Sequence, residues 1–554
     1  MKFGIYARSL LPSWSDYRSV RRTWRGDILA GVTVGIVALP LALAFGVSSG
    51  AGAESGLVTA IVAGVIAAVF GGSNIQVSGP TGAMVVVLGP IVIAHGPGVV
   101  AVVSVMAGII VLVAGALKLG RIVSFIPWPV IEGFTFGIAV IIFLQQVPSA
   151  IGTKAGASSN AFVAAVQSFG GIHWATVVYP VAAVVVVAVV MIVAPRIHPK
   201  IPGSIIAIVL VSLIAVLARV PLARIGALPD GLPAPSLPSA SLGTVTSLVG
   251  AVFTIAALAA IESLLSARVA AALSDTGPFD ADRELVGQGL ASIASGFFGG
   301  MPATGAIART AVNTRSGGKS RLAAITHALV LLGVVYLATS VVSQIPLAAL
   351  SGVLMVTAAR MISVSTVRSV LGSTRADATV FIVTALVTVS VDLIVAVAIG
   401  IAVAAFFALR TLAKSGGVHR EELPLPALPG DERIALFRLD GALFFGAADA
   451  MMDRVSRIDG VAVVIIRMSQ LQVLDATGAR VVAELIGRME RRGMTVLIKG
   501  LQPKHLKLAT RVGVLSALRH QNHLFGDLDS AIAHARSHVL RAGTAGQITA
   551  GATT

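Results

Sequence analysis

The sequence predicts an all-α polytopic membrane domain followed by a small soluble α/β domain. The expected membrane part has fourteen segments, arranged as a seven-plus-seven inverted repeat with two half-helices. Three observations carry this expectation: a charge-poor composition, the recurrence of long apolar windows, and one Gly/Pro element that occurs twice. Of 554 residues, 56% are hydrophobic and 12% charged, with a mean hydropathy of +0.92. Soluble globular chains carry about 25% charged residues, so a conventional soluble enzyme is excluded for most of the length. The formal net charge of +16 reads as basic residues kept in cytoplasmic flanks, where they set orientation. With aromatics at 5%, base-stacking platforms and a nucleic-acid partner are not expected. The absence of cysteine removes disulfides, thiolate metal sites and thiol nucleophiles.

The elements follow in order. Residues 1–26 form a basic cytoplasmic segment containing Lys2, Arg8, Arg18, Arg21, Arg22 and Arg25, with Asp27 at its boundary. The apolar run starts only after it, which predicts a retained first span rather than a cleaved signal. The membrane domain occupies 27–414. Windows able to cross about 30 Å of hydrocarbon fall at 28–47, 56–71, 97–117, 122–147, 175–194, 203–219, 243–273, 286–300, 320–342, 346–362, 377–393 and 394–412. Segments 78–94 and 302–314 are shorter and Gly/Pro-interrupted, and read as half-helices. An even number of segments places both termini in the cytoplasm, and the protein in a plasma or inner membrane.

Residues 415–430 are a Gly- and Pro-containing linker, and 431–540 are soluble in character. Strands are expected at 433–438, 461–468 and 494–499, and helices at 476–490 and 504–511; this alternation is that of an α/β domain. Residues 541–554 are Gly/Ala/Thr-rich and expected to be disordered.

The repeat locates the candidate site. Phe70-Gly71-Gly72 precedes Ser78-Gly79-Pro80-Thr81-Gly82-Ala83, and Phe298-Gly299-Gly300 precedes Met301-Pro302-Ala303-Thr304-Gly305-Ala306. The copies lie in the third and tenth segments, an odd offset that inverts their sense across the membrane. If Pro80 and Pro302 open helices, two starts face each other, each worth roughly half a positive charge. Such a pair is an anion trap, with hydroxyls from Thr81 and Thr304, close backbone access at Gly79, Gly82 and Gly305, and Ala83 and Ala306 also lining the site. Arg309 lies one turn further on; an arginine at the bilayer centre costs about 2.5–3.5 kcal/mol and needs a partner or a ligand. Arg315, Lys319 and Arg321 read as snorkelling or cytoplasm-facing.

Glu262 interrupts an apolar stretch, with Ser266 four residues on and on the same helical face. It is a candidate carrier of a coupling ion, or else one half of an ion pair with Arg268 or Arg309. Glu132 and Asp392 are placed near span ends. The charge arithmetic favours a proton: helix starts plus Arg309 supply about +2, which matches a dianion when Glu262 is neutral. Sodium is the alternative, bound by Glu262 and Ser266. Other chemistry is not expected. No histidine pair reads as having metal-ligand spacing on a helix, nucleophile-elbow and phosphate-loop patterns lack their strand contexts, and no cofactor, metal or enzymatic activity is expected beyond that cation.

These residues resemble the SulP sulfate permease family. The likeness lies in Leu39-Pro40-Leu41-Ala42-Leu43-Ala44-Phe45, Val77 through Thr81, Glu262 through Ser266, Gly287-Gln288-Gly289, Phe298 through Arg309, Asn313 and Ser316-Gly317-Gly318. It spans nearly the whole chain and implies that 431–540 is a STAS domain. It also implies a core and a gate domain, a homodimer, and an anion site between the third and tenth segments. Phe45, Thr81 and residues 306–309 match site-lining positions. Glu262 and Ser266 match an acidic residue and a hydroxyl that hold the cation in a sodium-coupled bicarbonate member. Two departures stand out. Leu41 replaces a glutamine found in many animal members, and Asp475-Ala476-Thr477-Gly478 lacks the phosphorylatable serine of related STAS domains. The function implied is secondary active transport of a small anion (sulfate, bicarbonate or a C4-dicarboxylate). Alternatives are a nucleobase–proton symporter of the same fold, or a passive channel or sensor signalling through the STAS domain.

Overall fold

The computed structural model describes residues 8–551 except 122–125, 157, 159, 199–200, 227, 229–230, 275, 392, 416, 425 and 444–459; Asp392 lies outside them. The chain divides into two compact units, residues 1–402 and 403–554.

The first unit is helical: α1 (Val20–Ser48), α2 (Ala53–Phe70), α3 (Gly82–His95), α4 (Val99–Ala116), α5 (Trp128–Ala150), α6 (Ala161–Ser168), α7 (Val178–Ile197), α8 (Gly203–Leu217), α9 (Leu242–Leu273), α10 (Ala281–Phe297), α11 (Ile307–Arg315), α12 (Arg321–Leu337), α13 (Thr339–Val342), α14 (Leu347–Met361), α15 (Val364–Ser373) and α16 (Arg375–Ser390). The next helix, α17 (Leu393–Ser415), crosses the boundary between the units. Among the described residues, eight helices are long and apolar enough to cross a membrane by length and composition.

Small residues permit the closest approaches. A Cβ on Gly108 of α4 would meet the Gly289 carbonyl oxygen at 2.7 Å, and one on Gly289 of α10 would meet the Leu112 amide at 2.5 Å. The α4–α10 contact is therefore backbone against backbone, as small-residue stripes allow in lipid. Helix α10 also packs on α2, α12 on α1 and α2, and α14 and α16 on α5.

Side chains fix several helix starts. Asp280 accepts from the Asp282 and Arg283 amides, Ser241 from Thr244, and Thr374 from Asp377. Asp27 does more than mark a boundary. It is fully buried, and its carboxylate accepts from the Lys319 and Ser320 amides (2.7 and 3.1 Å), tying α1 to the start of α12.

Two expectations are corrected here. The window at 286–300 belongs to α10, whose first turns bury Arg283, Glu284 and Gln288. The Glu284 carboxylate is satisfied by the Gly72 and Ser73 amides (2.8 and 3.0 Å) and by Gln288 (2.9 Å). Hydropathy cannot register partners some 210 residues away. Arg321 is not a solvent-exposed arginine: it is 2% exposed and donates to the Ala68 carbonyl at 2.9 Å, at the C-terminal end of α2. Arg315 and Lys319 are exposed.

The second unit holds a five-stranded sheet in the order β3–β4–β5–β6–β7. The strands are β3 (Gly417–Glu421), β4 (Ile434–Leu443), β5 (Val463–Leu474), β6 (Thr495–Lys499) and β7 (Leu524–Phe525). The β3–β4 pair is antiparallel and the others parallel. Alternate residues serve opposite faces. Val464, Ile466, Val496 and Ile498 pack with α18 (Ala476–Arg491) and α19 (Pro503–Val512), while Val463, Ile465 and Leu497 pack with Ala531, Ile532 and Ala535 of α20 (Leu528–Gly551). The strands and helices expected at 433–511 all occur, within a few residues at most ends. Two segments differ from the reading: the expected linker includes the edge strand β3, and the backbone of α20 continues past Arg541 to Gly551.

Candidate functional site

Between α2 and α3 the chain runs extended through β1 (Ser78–Gly79), and between α10 and α11 through β2 (Thr304–Gly305). The two dipeptides pair antiparallel, Ser78 with Gly305 and Gly79 with Thr304. The Ala306 amide adds a bond to the Val77 carbonyl at 2.9 Å. The two repeat copies are therefore clipped directly together. Helix α3 starts at Gly82 with Thr81 as its cap residue, and α11 starts at Ile307 with Ala306 in that place. Pro80 and Pro302 thus do not open the helices. Pro80 lies just before the cap residue Thr81, whereas Pro302 lies ahead of β2, five residues before Ile307; each favours extended backbone in the residue preceding it.

Neither start has a side-chain cap, so the first-turn amides lack intrahelical acceptors. Thr81 spends its hydroxyl elsewhere, donating to Glu262 Oε2 at 2.7 Å. Thr304 Oγ1 lies 2.9 Å from the same oxygen and 3.1 Å from Thr81 Oγ1. The carboxylate of α9 is thereby bound to both copies of the repeat. Glu262 is only partly buried, while Thr81, Gly82, Ala83, Thr304, Gly305, Ala306, Arg309 and Phe45 are buried. Phe45 of α1 reaches α3: a Cβ on Gly82 would collide with Ile142 and meet the Phe45 ring at 3.5 Å.

Arg309 is 2% exposed. Its Nη2 donates to the Pro80 carbonyl, and its Nη1 is buried without a partner. A guanidinium nitrogen left unbonded in a low-dielectric interior is costly, and it is available to an anion. The hydrogen-bond partners of Glu262 are the two threonines, so its anchoring is not an Arg309 ion pair. Ser266 is buried and lies 3.4 Å from Thr310 Oγ1, which accepts from the Val77 amide at 3.0 Å.

The sequence assigned no role to several members of this arrangement. Ser263 accepts from the Gly305 amide at 3.0 Å, and Gln76 donates to the Ser263 carbonyl at 3.2 Å. Gln288 donates to Ser78 Oγ at 2.6 Å. The available signal was that Gln76 and Gln288 are amides inside apolar surroundings. The reading that no histidine pair has ligand spacing on a helix is also wrong, since His534 and His538 stand four residues apart on α20.

A family model described as the sulfate permease family matches residues 24–384, and a STAS domain model matches residues 426–531. A putative sulfate transporter of Bacillus subtilis, YvdB, is 34% identical over 517 residues, covering 91% of this chain and 96% of the relative. The bicarbonate transporter BicA of Synechocystis is 31% identical over 504 residues, covering 86% and 88%. The solved structure of the murine Solute Carrier 26 family member A9 anion transporter, in its inward-facing state, superposes with a TM-score of 0.82 at 18% identity, covering 96% of this chain and 95% of that one. At that identity the likeness speaks for the fold.

Proposed function

The chain belongs to the sulfate permease family, and we propose that it is a secondary active transporter of small anions. It is an integral membrane protein with a carboxy-terminal STAS domain. The observation that carries the proposal is the clipped pair of repeat copies, with two uncapped helix starts, two threonines that share the Glu262 carboxylate, and Arg309, held on the Pro80 carbonyl with one nitrogen free. Backbone amides and a guanidinium bind an anion without needing a metal. Relatives named for sulfate and for bicarbonate fit an oxyanion substrate class.

The bound anion contacts Thr81, Gly82, Ala83, Thr304, Gly305, Ala306 and Arg309, with Phe45 walling the site. Glu262 carries the coupling ion, a proton. When it is neutral, the roughly +2 field of two helix starts and Arg309 balances a dianion; when it is ionised, one charge is uncompensated. Binding an anion between two inverted repeats, each starting a half-helix, supplies the fixed point about which one repeat rocks against the other. The fourteen-segment arrangement, the homodimer and the cytoplasmic placement of both termini belong to the same reading.

The test is radiotracer uptake of sulfate, bicarbonate and fumarate into proteoliposomes. Accumulation above the outside concentration, driven by an ion gradient, supports the transporter. Gradient dissipation without accumulation would mark a channel and contradict it.

A further inference from the structure

We propose that the STAS unit carries a transition-metal site of the zinc class, formed by His523, His534 and His538. His534 and His538 share one face of α20, and His523 ends the turn Gln521–His523 that leads into β7. Their ligand nitrogens all lie within 4.8 Å of one another. One pair, His534 Nε2 and His538 Nε2, is 3.2 Å apart. Two imidazole nitrogens on a tetrahedral zinc at about 2.05 Å are separated by about 3.3 Å, so this pair is already at chelating distance. The third ring joins by rotation about its broad terminal torsion.

His523 supplies the second, independent sign. It is 2% exposed, and its Nδ1 is buried with no hydrogen-bond partner. Buried polar atoms are normally satisfied, and this one belongs to the cluster a metal would complete. Edge-on ring packing, with centroids 5.5 and 5.6 Å from His534 and His538, keeps the ring beside the pair and leaves that nitrogen unpaired.

Three imidazoles and no thiolate select zinc or its borderline neighbours cobalt, nickel and copper over the oxygen-seeking magnesium and calcium. Three protein ligands leave a fourth position for water. The metal would staple the carboxy-terminal helix to the end strand of the sheet, a cross-link independent of the anion site.

The experiment uses full-length protein in detergent, with any affinity tag removed and metal stripped by chelator, titrated with cobalt(II). Wild type is expected to take up one equivalent with the visible absorption of tetrahedral cobalt, discharged by zinc, and to gain thermal stability with zinc. The His534→Gln/His538→Gln double variant should bind more than about 100-fold more weakly and lose the zinc-dependent gain. Absence of the tetrahedral spectrum in wild type would overturn the site, whatever the variant does. So would a folded double variant that binds like wild type.

Discussion

Arg309 holds a full charge inside a helical unit with one carbonyl as its hydrogen-bond acceptor and one nitrogen left over. A charge-assisted hydrogen bond is worth about 1.5–3 kcal/mol, so Arg309→Ala should raise the apparent Km for the anion by about 10- to 150-fold. Unchanged apparent affinity would place the anion elsewhere. Arg309→Lys should recover only part of the loss, because an ammonium cannot serve the Pro80 carbonyl and a ligand with a fixed fork. At this scale the sequence was legible wherever a polar residue was rare for its surroundings: Glu262, Arg309, Thr81 and Thr304 all stood out. Ser263 and Thr310 did not, because serine and threonine are ordinary in membrane helices, and Gln288 stood out as an amide without showing its partner. Their partners, Gly305, Val77 and Ser78, lie roughly 40 to 230 residues away. His534 and His538 show the opposite failure, a legible spacing that was passed over.

At the scale of elements, the half-helices depend on backbone approach. A Cβ on Gly305 would overlap the Gln76 amide and meet the Ser263 Cα at 3.2 Å, so Gly305→Val should abolish uptake by forcing β2 away from α9. Normal uptake in a folded variant would show that this contact is dispensable. The α4–α10 contact is less forgiving, since the opposing atoms are backbone. Gly289→Ala should destabilise the membrane unit by about 1–3 kcal/mol, the usual cost of overpacking, read as a lower melting temperature in detergent. The repeat located both chain reversals correctly because glycine and proline punctuate backbone direction. It misassigned the first helical residues because a proline in the extended segment ahead of a helix and one just inside its start look alike in sequence. Helix α10 was misread for a different reason: its buried Glu284 is paid for by amides of another loop.

At the scale of the molecule, the composition changes near residue 415 whereas the chain divides between residues 402 and 403, and the α/β alternation after residue 431 matches the fold of the second unit. The edge strand β3 was hidden because an exposed, charged strand carries no apolar alternation. Its Glu421 meets Arg438 and Arg467 at 2.5 and 3.2 Å. In that unit Arg536 grips Asp431 through both carboxylate oxygens, at 2.9 and 2.7 Å, and holds the Asp431 carboxyl below its ordinary value. A carboxylate with a depressed pKa adds stability above its unfolded pKa and loses it as pH falls through the folded one. Asp431→Asn should therefore lower the melting temperature of this unit at pH 7 and make little difference at pH 2. An equal effect at both would deny the linkage. Deleting residues from Glu432 onward should reduce activity or delivery to the membrane while preserving the order of anion preference; a changed order would place part of the selectivity filter in the STAS domain.

The account stands most directly on Glu262, the carboxylate that both repeat copies share. The measurement is anion uptake by wild type and Glu262→Gln in proteoliposomes under an inward proton gradient, with and without sodium. The account predicts that wild type accumulates anion in response to the proton gradient regardless of sodium, and that Glu262→Gln equilibrates or binds anion without accumulating it. Accumulation by Glu262→Gln equal to wild type would contradict it, as would a wild type that requires sodium and ignores the proton gradient.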